Sequence, residues 1–184
     1  MGLRSVPVMR AGGVAPAVRA RRGFTLAEML LVISIIAVVM GMAAPLLRGT
    51  DASRIRDAAR LLAADLDVAR SGSIAHFEEP RRLEVDADGL GYRITFGDGS
   101  SSVTDTVTKR PYEVRFGEGR AAELGTVRIA SHNLGVGRAV AFGIYGETSL
   151  AEDGVITLEA GGYRIDVLVD AGSGDVFLGE VSKP

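Results

Sequence analysis

Arg21-Arg22-Gly23-Phe24-Thr25-Leu26-Ala27-Glu28 decides how this chain is read. A leader with Arg4, Arg10, Arg19, Arg21 and Arg22 and no acid ends there. An apolar run opens at Phe24 and reaches Leu47, and its single charge is Glu28. From Met29 to Leu47 nothing is charged, close to the roughly 20 residues that cross a bilayer as a helix. In hydrocarbon a lone segment satisfies its own backbone only as a helix. Arginines on the upstream side predict a cytoplasmic N-terminus, with everything after Leu47 carried across the membrane.

Three other readings compete for this stretch. A secretory signal places its apolar core before a small-residue cleavage site. Gly41-Met42-Ala43-Ala44 has that character, but Pro45 follows at once and the run is long. Arg21-Arg22 mimics a twin-arginine export signal, whose apolar region is milder and lacks an early acid. A plain single-span anchor explains the apolar run but not Glu28. A charge in the bilayer is costly and usually marks a function, although an acid near a helix end can also reach the interface. No Lys or Arg lies between Phe24 and Leu47 to pair with it.

The order of basic leader, Gly23, Phe24, Glu28 and apolar helix resembles the class III leader of type IV pilins and type II secretion pseudopilins. The resemblance implies that a prepilin peptidase cuts after Gly23 and methylates the new amino terminus of Phe24. Cutting removes the upstream arginines and creates a cation, the Phe24 α-amine. The resemblance gives that amine to Glu28 of an adjacent subunit as its partner during assembly. Pro45 sits where proline is common in pilins. It removes one helix bond and predicts a kink, or a helix break at the membrane exit.

The rest of the chain divides by its periodicity. Residues 1–23 read as a cleaved leader, 24–47 as the membrane helix, 48–79 as its amphipathic extension and 80–184 as a periplasmic β domain. Thr50 or Asp51 is placed to cap the extension. Ile55, Ala58, Ala59, Leu62, Leu66 and Ala69 recur at spacings of three and four, which makes one apolar stripe. Arg54, Arg56, Asp57, Arg60, Asp67 and Arg70 fall mostly off it, the stripe weakens near Ser71-Gly72-Ser73, and Pro80 predicts an end at Glu79. Beyond Arg81 the period becomes two: Leu83-Val85, Tyr92-Ile94-Phe96, Tyr112-Val114-Phe116, Val127-Ile129, Val140-Phe142, Val155-Thr157, Ile165-Val167-Val169 and Val176-Leu178. Glycine-rich turns separate these runs. The expected fold is α+β, a long helix packed on an antiparallel β-sandwich or wrapped sheet.

Two later stretches narrow the resemblance. Ala59 to Arg70 looks like the helix after the membrane segment in the GspH/FimT family of minor pseudopilins. Tyr163-Arg164-Ile165-Asp166-Val167 with Gly174-Asp175-Val176 resembles its final hairpin. Major pseudopilins are shorter and end in an Asp-Pro-Trp-Gly-like calcium loop, and this chain has no Trp. It also has no Cys, a departure from the many pilins with a C-terminal disulfide.

Nothing in the sequence predicts an enzyme, a cofactor or a metal. His76 and His132 are the two histidines, and neither has a second ligand at metal spacing. His132, in Ser131-His132-Asn133, reads as an exposed loop residue. Asp86-Ala87-Asp88-Gly89 and the stretch Asp170 to Asp175 read as turns, with a weak calcium site as the lesser alternative. Of 21 basic side chains five lie in the leader, so the remainder faces 23 acids. That balance makes nucleic acid an unlikely partner.

The resemblance therefore implies a minor type II secretion pseudopilin near the tip of a periplasmic pseudopilus, anchored in the bacterial inner membrane. Its expected partners are prepilin peptidase, the other pseudopilins and the inner-membrane assembly platform. The alternative is a FimT-like minor type IV pilin active in DNA uptake or pilus assembly. DNA capture would need Arg110, Arg115, Arg120, Arg128 and Arg138 to cluster into a basic patch.

Overall fold

In a computed structural model the chain divides into two compact units, residues 1–47 and 48–184. The structure describes residues 25–47, 51–135 and 137–183, the side chains of 41–47 excepted. In the first unit helix α1 runs from Leu26 to Leu47. Thr25 caps it: its Oγ1 accepts the Glu28 backbone N–H at 3.2 Å. A Thr three residues before a Glu is half of a capping box, and it supplies one of the donors a helix start leaves unpaired. Ser34 returns its hydroxyl proton to the Leu30 carbonyl at 2.7 Å, so no polar group on this turn seeks a partner.

The second unit opens with α2, Asp51–Ala75. Eight strands follow: β1 Arg81–Val85, β2 Gly91–Phe96, β3 Glu113–Arg115, β4 Arg128–His132, β5 Ala139–Ala141, β6 Gly154–Ala160, β7 Tyr163–Val169 and β8 Val176–Leu178. They form two four-stranded sheets, ordered β3-β2-β1-β5 and β4-β6-β7-β8, with antiparallel neighbours throughout. Helix α2 packs on β1 of the first sheet and on β6, β7 and β8 of the second. The stripe from Ile55 to Ala69 is fully buried and shares one core with Leu83, Ile94, Val140, Leu158 and Val167. This is the α+β arrangement the periodicity calls for.

Three expectations need correction. Helix α2 ends at Ala75, not Glu79. After it, Glu79 donates to the His76 carbonyl in a turn that leads into β1. The weakening of the stripe near Ser71-Gly72-Ser73 is not a loss of packing, because Gly72 and Ser73 are both buried. Arg81 lies across Gly72, where a side chain would collide with its guanidinium. Ser73 Oγ accepts the Arg81 backbone N–H at 2.7 Å and gives its own proton to the Ala69 carbonyl at 3.2 Å. Small polar residues thus let the first strand leave close to the helix.

The third correction is the phase of β6. Its inward residues are Ile156, Leu158 and Ala160, while Val155 and Thr157 lie on the outer face. A one-residue shift in a period of two exchanges the faces completely. Ile156→Ala is expected to cost about 3 kcal/mol and Val155→Ala less than about 1 kcal/mol. Urea melts of the two variants check this, and equal losses would restore the original phase.

Candidate functional site

The amino-terminal helix carries the site predicted from sequence. Gly23 and Phe24, the expected cleavage and methylation positions, lie outside the described residues. Glu28 sits in the first turn of α1, exposed, and no side-chain partner holds its carboxylate among the described residues. A helix start favours a negative charge through its unpaired N–H groups, so Glu28 suits its position even before any partner arrives. Helix α1 continues past Pro45 to Leu47, which places Pro45 in the last turn.

Around this one carboxylate the helix has no polar face. The large apolar side chains between Leu26 and Met40 are each 43% to 78% exposed. Leu30, Leu31, Ile33, Ile35, Ile36 and Val38 cover every direction around the axis. A helix apolar all round is buried by something, whether protein or lipid. Among the described residues no helix is long and apolar enough to cross a membrane. The run with described side chains stops at Met40, short of the roughly 20 residues a span needs.

In the second unit the other candidates dissolve into structural contacts. Asp86 to Gly89 is the β1–β2 turn, with Gly89 N–H bonded to the Asp86 carbonyl at 3.0 Å. Asp88 accepts Arg115 Nη2 at 2.6 Å and the Leu90 backbone N–H at 2.9 Å. In the stretch Asp170 to Asp175 one of the two acids, Asp175, is engaged by a guanidinium. Arg70 Nη1 meets Asp175 Oδ1 at 2.8 Å, and Arg70 Nε reaches the Gly146 carbonyl at 3.3 Å. Asp170 accepts the Ser173 backbone N–H at 2.6 Å, which holds its pKa below the ordinary value. His76 is exposed beyond the end of α2. His132 is not a loop residue: it closes β4, opposite Ile156, and is half-buried.

The arginines do not make a basic patch. Arg115 is held by Asp88 and Glu118, with Asp86 at 3.9 Å. Arg128 pairs with Glu159 at 2.7 Å, and Arg120 is tied to Asp65. Only Arg110 and Arg138 of the five remain without an acid partner among the described residues.

Comparison with known proteins joins these observations. Residues 18–44 match the model of the prokaryotic N-terminal methylation motif. Two crystal structures of the type IV minor pilin FimU of Pseudomonas aeruginosa are similar to the chain at 17% sequence identity. One covers 70% of this chain and 90% of its own with a TM-score of 0.50. The other covers 68% and 92% with a TM-score of 0.48. The fold is pilin-like. No curated protein matches the sequence.

The pilin-like domain holds one polar cluster that sequence reasoning missed. Asp65 lies on the buried stripe of α2 and is 2% exposed. Tyr92 OH from β2 donates to it at 2.7 Å and Tyr112 OH at 2.9 Å. Arg120 of the 3-10 helix Gly119–Leu124 closes the cluster on Asp65 Oδ2. Arg120 Nη1 also donates to Tyr112 OH at 3.1 Å, and its guanidinium lies 4.7 Å over the Tyr112 ring. Burial pushes the Asp65 pKa up, and the hydrogen bonds and Arg120 offset that only in part. Burial also drives the Tyr92 phenol well above its usual value, with the Asp65 charge adding to it. The available signal was positional: Asp65 falls three residues after Leu62, inside the stripe, where an acid needs partners.

Proposed function

We propose that the chain is a minor subunit of a type IV pilin-like filament, and more narrowly a minor pseudopilin of a type II secretion system. The observation that carries this is α1, apolar on every side, with one carboxylate in its first turn and the methylation motif laid over it. Prepilin peptidase cuts between Gly23 and Phe24 and methylates the Phe24 amine. Residues 24–47 then span the inner membrane, with a bend at Pro45, and residues 48–184 stand in the periplasm. Glu28 pairs with the Phe24 amine of a neighbouring subunit, so charge is neutralised as lipid is exchanged for helix. The assembly platform and the other pseudopilins are its partners. No catalytic step, metal or cofactor has a part in this role.

The pairing of Arg115, Arg120 and Arg128 with acids supports a structural subunit over a DNA-capturing one, because phosphate binding needs cations free to release counterions. Likeness to a type IV minor pilin keeps the pilus machine as the second reading. Loss of secreted enzymes in a deletion strain, with twitching and transformation intact, is the result expected. The opposite pattern assigns the chain to a pilus.

Processing has its own test. Intact-mass analysis of protein extracted from membranes is expected to show a chain that begins at Phe24 and carries one added methyl group. A start after Ala44, or an uncut chain where the peptidase is present, overturns the assignment of Gly23 and Phe24.

A further inference from the structure

Between β2 and β3 residues 104–111 form a finger, closed at its base by the bridge between Thr104 and Pro111. Asp105 braces it. Its Oδ1 accepts the Val107 and Thr108 backbone N–H groups at 2.7 and 2.9 Å. Its own N–H donates to the Arg110 carbonyl at 2.9 Å, and its carbonyl accepts the Lys109 N–H at 3.0 Å. This holds Lys109 at φ 57°, in the left-handed region that glycine enters without strain. Strain kept on a residue with a long charged side chain points to a use for that side chain. At the tip Val107 is 87% exposed. Lys109 and Arg110 are exposed beside it, and no carboxylate lies within 4.0 Å of either among the described residues.

The same chain carries a counterpart. A cleft of about 500 Å³ opens where the turn after α2 meets the end of β2. Pro80 and Phe96 give it an apolar lining, and Glu78, Glu79 and Asp98 give it acids. Its backbone is fixed, since Gly97 N–H donates to the Pro80 carbonyl at 2.7 Å. Asp98 is committed to its own turn, where it accepts the Ser100 N–H at 2.9 Å and the Ser100 hydroxyl at 2.7 Å. Glu78 and Glu79 are exposed and pair with no cation among the described residues. Tyr112, at the base of the finger, bonds Asp65, ten residues before the end of α2. Finger and cleft thus lie on the order of 15 Å apart along that helix, and the bracing keeps the finger from the cleft of its own chain.

We propose that the finger of one copy docks in the cleft of a second copy, with Val107 against Pro80 and Phe96 and with Lys109 and Arg110 on Glu78 and Glu79. Each half carries what the other lacks. The finger has two unpaired cations and an exposed aliphatic side chain, and the cleft has two unpaired carboxylates and an apolar lining. A second copy is the occupant because one chain holds both halves in matching number and cannot join them to each other. Exposed ion pairs contribute little each, so the contact is weak, and the opposed charges set its register. Two different patches make a heterologous contact, which repeats from copy to copy and leaves a free finger at one end and a free cleft at the other. The contact uses neither α1 nor Glu28. It goes beyond the filament reading, and its failure leaves that reading standing.

The chain has no cysteine, so introduced thiols report this contact alone. Ser101 lines the cleft, and Ala122 is exposed outside it. Full-length Val107→Cys and Ser101→Cys proteins, purified separately in detergent micelles, are mixed and oxidised. The mixed disulfide should form in about fivefold higher yield than with Ala122→Cys in place of Ser101→Cys, and the excess should fall as salt is raised. Lys109→Glu with Arg110→Glu in the finger protein should abolish the excess. Glu78→Lys with Glu79→Lys in the cleft protein should then restore it. Lys109→Gly should melt at a higher temperature, because its φ is relieved, and yet cross-link less. No excess over Ala122→Cys, an excess indifferent to charge reversal, or an unchanged yield with Lys109→Gly overturns the proposal. A loss that the cleft variants do not restore assigns the finger to a partner other than a second copy and overturns it as well.

Discussion

Glu28→Ala is expected to give a protein that inserts and is cleaved yet does not enter the filament. Removing a charge makes α1 more apolar, so insertion is not impaired. The cap survives too, because Thr25 accepts the backbone N–H of residue 28 and not its side chain. What disappears is the carboxylate that, in the proposed role, neutralises a neighbour's Phe24 amine in a low-dielectric setting. Stranding one member of a buried ion pair costs about 3 kcal/mol or more, on the order of a hundredfold in occupancy. Glu28→Gln keeps the shape and the hydrogen-bonding capacity but not the charge, and it should fail with Ala. Cross-linking to the other subunits, beside a cleavage assay on the same cells, reads both steps. Normal incorporation of the Ala variant would leave Glu28 as a charge tolerated at the helix start.

Asp65→Ala should be as damaging to the pilin-like domain as the loss of a large core side chain. It strands the buried Tyr92 hydroxyl and releases Arg120 from α2, while the half-exposed guanidinium can return to water. An orphaned buried donor together with a broken charge pair amounts to about 3 kcal/mol. Tyr92→Phe, which removes one donor and leaves the carboxylate held by Tyr112 and Arg120, should cost about 1 kcal/mol. The pH dependence carries a definite sign. Asp65 has a native pKa above its ordinary 3.8, so the folded state holds the proton more tightly than the unfolded one. Its contribution is fully present below 3.8 and is lost as pH rises from there through the raised native value. The stability difference between wild type and Asp65→Asn should therefore shrink as pH increases across that window. Urea melts of residues 51–184 at several pH values measure it. A difference that grows with pH means the charged form is the favoured one and reverses the assignment.

What the sequence disclosed follows from what each signal depends on. The α2 stripe and most strands were legible because burial imposes a period, and Leu83 and Ile94 obey it between polar neighbours. Strand β6 was misphased because Val155, Ile156, Thr157 and Leu158 are all strand formers, so composition gave no contrast. Glu159 is the residue that fixes the phase: it faces out, where Arg128 and Arg164 hold it. Asp65 escaped notice because its three partners come from positions 27, 47 and 55 residues away, and pairing at that range has no local trace. The capping role of Thr25 was local but was hidden by attention to the Glu28 charge. In the Asp170–Asp175 turn the sequence showed two acids and two glycines but not the arginine 105 residues upstream of Asp175 that pairs with it.

That arginine has a consequence for where the protein can mature. The turn before β8 closes on Arg70 through an ion pair and the Gly146 carbonyl, and the chain has no thiol to oxidise. Closure of this end of the domain thus draws on an ion pair and not on a disulfide. Every component of the fastening is made on the ribosome. The reagent that loosens it is not a reductant but ionic strength, since the pair is partly open to solvent and salt screens it. A domain fastened in this way can reach its finished shape whatever the redox poise of the compartment in which it folds.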